Sequence, residues 1–479
     1  MMLLSSELNN ICPSLSEGVE FHIFPDGGVI YGKSQKFRPN KKKNNWMELR
    51  GAFFVNKSAK DILKLCNGAY SVKEIIEKFC TFNNIKNPTD YKKYTLYTLS
   101  FLETSKEHGH IKFLQRKSSK TAPKFTGSED YYMPINVTVE LTDNCNLKCK
   151  HCYKGDSQKL KELSTPDMLS ILKSLVENGV KGIELTGGEP LMHSDFFDIL
   201  EFCGENFAVI AILTNGYFLN KEVAYKMKKY REKIVVSVSL DSSTSDFHDN
   251  FRGVNGSFER AKHAISCLSQ YGIYVRVGMS VTPDNFYDIE NTLLLSKGLG
   301  ADSFTFSPVL PYGRGQSINW DVSTEERKRM LEYEKLIYER HKDFLTILTK
   351  ESKEQMERDG NCGAGWKTFV LDAQGNVRPC VMMAKSSSSS FGNLNDQNPK
   401  DIFSNSLSWY FRELRAPSKQ ICGDCKFLPF CRNCPIRGVR IYKTKNKYCK
   451  WAKEYKIDEM IKKGVFAESS CYEDEKFCY

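Results

Sequence analysis

No stretch of about 20 apolar residues occurs anywhere in the 479-residue chain, so nothing in it reads as a membrane-spanning helix. The opening MMLLSSELNN carries an apolar run far too short for a signal peptide and has no basic flank. These absences predict a cytoplasmic protein without a membrane partner. The basic loop PNKKKNN (39–45) has no aromatic interleaved among its lysines. The formal charge of +11, from 69 Lys and Arg against 58 Asp and Glu, is a weak signal for an acidic partner. No nucleic-acid partner is expected.

Cysteine is abundant. In a reducing compartment, 17 cysteines point to metal or catalysis rather than to disulfides. Seven of them, Cys12, Cys66, Cys80, Cys203, Cys267, Cys471 and Cys478, are scattered and read as small core or surface residues. The other ten fall into two groups with regular spacing.

The middle of the chain alternates β-rich segments with amphipathic helices. The strands are read at 136–142, 182–188, 208–216, 233–241, 274–282 and 302–310, and TPDMLSILKSLVENG (165–179) is a helix with Gly179 as its stop. Such alternation implies a parallel sheet, doubly wound or closed towards a barrel, with its chemistry at the carboxyl ends of the strands. The N-terminal part differs. EFHIFPDGGVIYG (20–32) reads as two strands around a turn, and helices are expected at 56–68, 71–80 and 89–103, which suits a small winged-helix-like domain. Polar stretches at 117–130 and 386–401 read as a linker and a loop.

CNLKCKHCY (145–153) places Cys145, Cys149 and Cys152 on a loop just after the first of the six strands. No fourth ligand lies nearby, as a structural zinc site would need, whereas three thiolates holding a 4Fe-4S cluster would leave one iron open. This CxxxCxxC motif with its trailing aromatic, together with TGGEP (186–190), resembles the radical S-adenosylmethionine (SAM) enzymes. The resemblance implies that Cys145, Cys149 and Cys152 hold the catalytic cluster. SAM would bind its open iron and be cleaved to a 5'-deoxyadenosyl radical. Gly187 and Gly188 would let backbone approach the methionine moiety, and Glu189 would pair with its ammonium. By the same resemblance Tyr153 lies on the adenine side, Asn215 and Ser239 contact polar groups of SAM, and Arg252 binds its carboxylate.

In the second group, Cys362 is followed by Cys380, four residues after Gly375, then by Cys422, Cys425, Cys431 and Cys434, and last by Cys449. Paired CxxC motifs also occur in zinc ribbons, but the odd total argues against zinc. The pattern resembles the SPASM extension of radical SAM enzymes. It implies one auxiliary 4Fe-4S cluster on Cys422, Cys425, Cys431 and Cys449, and another on Cys362, Cys380 and Cys434. GAGWKTF supplies no fourth ligand after Cys362, and only two residues precede Cys434 where three are usual.

The expected architecture is α/β. A winged-helix-like peptide-recognition domain (1–115) and a linker (116–131) precede a partial (β/α)6 barrel (132–330) and a SPASM domain (331–479). With NCGAGWK, VRPC, HDNFRG and RVGMSV, the chain most resembles the sactipeptide maturases. These join a cysteine sulfur to an α-carbon in a ribosomally made precursor peptide. The resemblance implies a leader-bearing peptide partner, three 4Fe-4S clusters, and flavodoxin or ferredoxin as electron donor. Thioethers to β- or γ-carbons and peptide epimerisation remain open. A sulfatase-type maturase would carry aspartate where Val381 stands, and a DNA-binding iron-sulfur regulator would leave GGEP and the six strands unexplained.

Overall fold

The computed structural model describes residues 8–31, 52–118, 124–155, 161–319, 322–346, 360–383 and 387–466. They form two compact units: one of Met1–Lys36, Glu48–Met133 and Glu177–Gly179, the other of the remaining chain. Cys471, Cys478 and the PNKKKNN loop lie outside the described residues.

In the first unit, β1 (Cys12–Leu15) pairs with β5 (Ile111–Leu114). A second sheet has the order β4-β3-β2-β6, formed by β2 (Glu20–Phe24), β3 (Gly27–Tyr31), β4 (Ala52–Asn56) and β6 (Lys124–Gly127). Three helices supply the other layer. Helix α1 (Lys57–Leu65) starts where the Asn56 side chain accepts from the Ala59 amide at 2.9 Å, and α2 (Val72–Phe82) where Ser71 and Glu74 form a reciprocal capping box. α3 (Pro88–Glu107) has proline at its first position, where a missing N–H costs nothing. Ile62, Leu63, Ile75, Phe79 and Leu102 from these helices close on Phe21 and Ile30.

The segment read as a linker, 116–131, contains β6, which pairs in parallel with β2 from Glu20↔Lys124 to Ile23↔Gly127. The β2–β3 hairpin, read from sequence as two strands around a turn, is flanked on both sides, by β6 and by β4. Among the described residues, the edges of this sheet are β4 and β6.

The second unit carries six parallel strands: β7 (Asn136–Glu140), β8 (Gly182–Thr186), β9 (Val209–Thr214), β10 (Ile234–Ser239), β11 (Tyr274–Val281) and β12 (Ser303–Pro308). Each pairs with the next in chain order. Unreversed order with right-handed crossovers keeps the helices on one side, as in a partial barrel rather than a doubly wound sheet with its switch point. Strand alternation separates the faces. Val137, Val139, Ile183, Leu185, Ile210, Ile212, Val236 and Val277 are buried, whereas Thr138, Glu184, Arg276 and Thr305, in phase with one another, are half-buried. On that second face Thr138 Oγ1 donates to Glu184 at 3.2 Å and Arg276 Nε to Ser237 Oγ at 3.1 Å.

The sheet runs on past β7 through β13 (Thr368–Leu371, parallel to β7), β14 (Asn376–Arg378) and β15 (Gly392–Asn393, within the stretch read as a loop). The cysteine-rich C-terminal region thus shares a sheet with the barrel strands. The boundary expected at 330/331 falls inside the helix Thr324–His341.

Candidate functional site

The loops leaving β7 and β8 are zipped together. The Gly188 amide donates to the Thr142 carbonyl at 2.7 Å, and the Glu189 amide to that of Asn144 at 2.8 Å. Any Cβ on Gly188 would sit 2.1 Å from the Asn144 carbonyl oxygen, and Gly187 has φ +140°. The lack of a side chain at these glycines lets the two loops of the chain's own backbone approach one another.

The three cysteines follow on the same loop, which is tied down on two sides. The amides of Lys148 and Lys150 donate to the carbonyls of Arg252 and Phe251 at 3.1 and 2.9 Å, and the His151 ring stacks on Phe251 with centroids 4.3 Å apart. From the other side Arg314 donates through Nε to the Cys149 carbonyl and through its backbone amide to that of Cys152, each at 2.9 Å. Gly313 permits this approach, with φ +54° and space for a Cβ only 2.4 Å from the Cys152 oxygen.

Donors point at the sulfurs. The Leu147 amide lies 3.4 Å and Asn215 Nδ2 3.9 Å from Cys145 Sγ, and Arg252 Nη1 lies 3.7 Å from Cys149 Sγ. Burial raises the Cys145 and Cys149 pKa values, and in both the charge of neighbouring cysteines adds to the rise. N–H groups and a guanidinium facing gathered sulfurs suit thiolates that ligate an iron-sulfur cluster. Among the described residues no three His, Cys, Asp or Glu side chains close on a point suited to a single ion.

The residues expected to contact SAM gather at this same rim, several of them with partners in the protein. Glu189, fully buried, accepts from Thr214 Oγ1 at 2.6 Å and from the amides of Asn215 and Leu191 at 2.8 and 3.3 Å, which ties the β8 loop to the end of β9. Burial outweighs those bonds and pushes its pKa up to about 7. Arg252 is held by Asp241, Nε to Oδ2 at 2.6 Å. Asn215 Nδ2 also reaches Asn146 Oδ1 at 2.9 Å. Ser239 closes β10 half-buried. The hydroxyl of Tyr153 lies 3.3 Å from Glu140 Oε1.

Sequence reasoning missed Glu140, Asp241, Arg314 and Arg378. Glu140 is wholly buried and meets Arg378 Nη2 at 2.8 Å and Lys154 Nζ at 3.5 Å. The signal was a carboxylate ending the strand NVTVE, where alternation calls for a core or lining residue. Its partner in VRPC lies 238 positions on.

The cysteines of the second set lie close enough to raise one another's pKa values. Burial pushes the Cys380 pKa up to about 12, with Cys362 and Cys434 adding to the rise. Cys431 is also raised to about 12, chiefly by burial, then by Cys449, Cys425, Cys422 and Cys434. Asn361 braces the first turn, accepting from the Gly363 amide and Trp366 Nε1, each at 2.9 Å. Tyr312, two residues before Arg314, donates to the Ile436 carbonyl at 3.4 Å, close to Cys434. The scattered Cys12, Cys66, Cys80, Cys203 and Cys267 are all buried, and among the described residues no helix is long and apolar enough to cross a membrane.

The radical SAM superfamily pattern matches residues 139–295, and that of SPASM, an iron-sulfur cluster-binding domain, matches residues 362–435. The antilisterial bacteriocin subtilosin biosynthesis protein AlbA of Bacillus subtilis (strain 168) is 32% identical over 460 residues, covering 95% of this chain and 99% of that protein. The sporulation killing factor maturation protein SkfB of the same organism is 28% identical over 263 residues, 54% of this chain and 62% of that one. Among solved structures, Streptococcus suis SuiB bound to S-adenosylmethionine superimposes with a TM-score of 0.60 at 16% identity, covering 89% of this chain and 96% of that one. The likeness at that identity is one of fold.

Proposed function

The chain belongs to the radical SAM enzymes that carry a SPASM domain, and from that premise we propose that it joins cysteine sulfurs to α-carbons within a ribosomally made precursor peptide. The observation that carries this reading is the reach of the similarity to the subtilosin biosynthesis protein, which runs through 95% of the chain. It takes in the N-terminal unit and both cysteine groups as well as the barrel.

In this reading Cys145, Cys149 and Cys152 hold the cluster that meets SAM, Cys422, Cys425, Cys431 and Cys449 hold a second, and Cys362, Cys380 and Cys434 a third. When bound, SAM and its cluster supply a 5'-deoxyadenosyl radical that removes hydrogen from carbon, and the auxiliary clusters supply a destination for the surplus electron. The protein's own part is positional. Asp241 fixes Arg252 beside Cys149, Glu189 and Asn215 hold the rim closed, and the loop around Arg314 covers the cysteine loop. The polar face with Glu184, Arg276 and Ser237 suits the peptide backbone. The leader would add as a strand, with the edge of β4 as its place, because Phe53 and Phe54 are exposed there. An electron donor of the flavodoxin or ferredoxin kind completes the system.

The test uses as substrate the peptide encoded by any small cysteine-containing reading frame found beside the gene. Cys149→Ala should abolish 5'-deoxyadenosine. Cys362→Ala, Cys380→Ala or Cys434→Ala should leave SAM cleavage intact and eliminate the thioether. Tandem mass spectrometry and NMR of the product separate α-carbon from β- or γ-carbon linkage, and epimerisation leaves the mass unchanged. Normal cross-linking by a folded variant that spectroscopically lacks the auxiliary cluster would sink the proposal.

A further inference from the structure

The positive charge of this protein is not spread over it. Residues 415–466 hold 14 lysines and arginines against 4 aspartates and glutamates, a formal +10, whereas the whole chain carries +11. This short segment wraps Cys422, Cys425, Cys431 and Cys449. The rest of the molecule is close to neutral, so the segment dominates any long-range field.

Much of that charge reaches solvent. Arg415, Lys419, Lys426, Arg432, Lys447, Lys450, Lys453 and Lys456 are exposed. Arg415, Lys419 and Arg432, with Glu454, line a cavity of about 750 Å³ beside the turns that carry Cys422 and Cys431. The helices Lys419–Cys422 and Lys450–Glu454 pack on one another, which makes one continuous basic face of what are separate stretches of sequence. In the middle of the lysines stands Tyr448, 96% exposed and next in sequence to Cys449. Its backbone is set by a turn in which its amide donates to Asn446 Oδ1 at 3.2 Å. A large uncovered aromatic ringed by cations is the composition of a docking hot spot, since tyrosine supplies contact area at low entropic cost while the rim charges steer encounter.

We propose that this face, centred on Tyr448, Lys447, Lys450 and Lys453, docks an acidic one-electron carrier protein of the flavodoxin or ferredoxin class. The inference rests on reading Cys422, Cys425, Cys431 and Cys449 as one cluster, because that cluster lies under the basic face. A carrier seated there has its redox group opposite the ligand loop of Cys449. An acidic peptide would satisfy the charge but gives no reason for the exposed ring beside a cluster ligand.

The probe is a purified bacterial flavodoxin, with binding to the reconstituted full-length protein measured by surface plasmon resonance. At about 50 mM salt the wild type should bind, and binding should weaken steeply towards about 200 mM as the Debye length shrinks. The triple variant K447E/K450E/K453E should raise the Kd at least tenfold, and Tyr448→Ala several-fold. Iron content, the cluster absorbance and dithionite-driven 5'-deoxyadenosine formation should stay at wild-type levels in both. An unchanged Kd in the triple variant would overturn the docking site, as would a wild type that binds heparin or the precursor peptide through these lysines but not flavodoxin. Iron and sulfide analysis of the wild-type sample tests the cluster reading separately.

Discussion

The carboxylate of Glu140 stands between the Tyr153 hydroxyl, 3.3 Å from Oε1, and the Arg378 guanidinium, 2.8 Å from Oε2. Tyr153 follows Cys152 and Arg378 precedes Cys380 by two, so a single buried acid at the end of β7 ties the two cysteine regions together. Lys154 adds a second cation at 3.5 Å. Removing one partner of a buried pair leaves an uncompensated charge, a loss of about 3–5 kcal/mol. Glu140→Ala should therefore lower the melting temperature markedly, and Glu140→Gln less, because the amide oxygen still accepts from Arg378 while its NH2 can donate to the Tyr153 hydroxyl. The double variant E140L/R378M should recover part of the loss. A melting temperature for Glu140→Ala equal to that of the wild type would refute the tie.

A second expectation concerns acid. Burial holds the His110 imidazole down to about 4, against an ordinary value of 6.5, and the charge of His108 adds to the effect. Its ring lies edge-on to Phe53 at 4.5 Å. Above pH 6.5 the ring is neutral in both the folded and the unfolded chain and its shift contributes nothing. Between pH 6.5 and about 4 the unfolded chain takes up a proton that the folded chain refuses, so stability is lost across that window. Proton NMR should find His110 titrating near the lower value, and His110→Phe should flatten the fall in melting temperature. Titration at the ordinary value would contradict the buried environment.

The six barrel strands were legible because each is a short apolar alternation followed by a helix-period segment, a pattern that is local. Cys145–Cys152 and Cys422–Cys434 were legible for the same reason, as their cysteines lie within a few residues of one another, whereas Cys362, Cys380 and Cys449 stand farther off. Pairing across distance was not. Lys124–Gly127 is four polar-leaning residues with a glycine, and only its register against Glu20–Ile23, about a hundred positions earlier, makes it a strand. Thr368–Leu371 could be read as a strand, but nothing local assigns it to the edge of β7. Asp241 and Arg252 stand eleven apart, yet the helix between them decides that they meet. Arg314 sits in a turn with no periodicity to mark it. The glycines of GGEP were found, but not their close approach to the backbone of Thr142 and Asn144, because composition shows where a side chain is missing and not what fills the space.

That space supports a last expectation. At Gly188 an added Cβ would meet the Asn144 carbonyl oxygen at 2.1 Å and its carbon at 2.5 Å. Both are backbone, held by the Glu189 amide at 2.8 Å, so neither can swing away as a flexible side chain would. Relief must come from opening the zipper between the β8 and β7 loops, and the second of these carries Cys145. Gly188→Ala should leave the barrel folded, since the clash is confined to the rim. It should lower SAM affinity and iron retention tenfold or more. Gly298, at the end of the helix Ile289–Gly298, serves as the control, for nothing lies within 4 Å of its added Cβ. Gly298→Ala should be neutral or stabilising by up to about 1 kcal/mol, as alanine is the better helix residue. Equal SAM binding by the two variants, measured by calorimetry on reconstituted protein, would show that the close packing of the two loops does not govern the site.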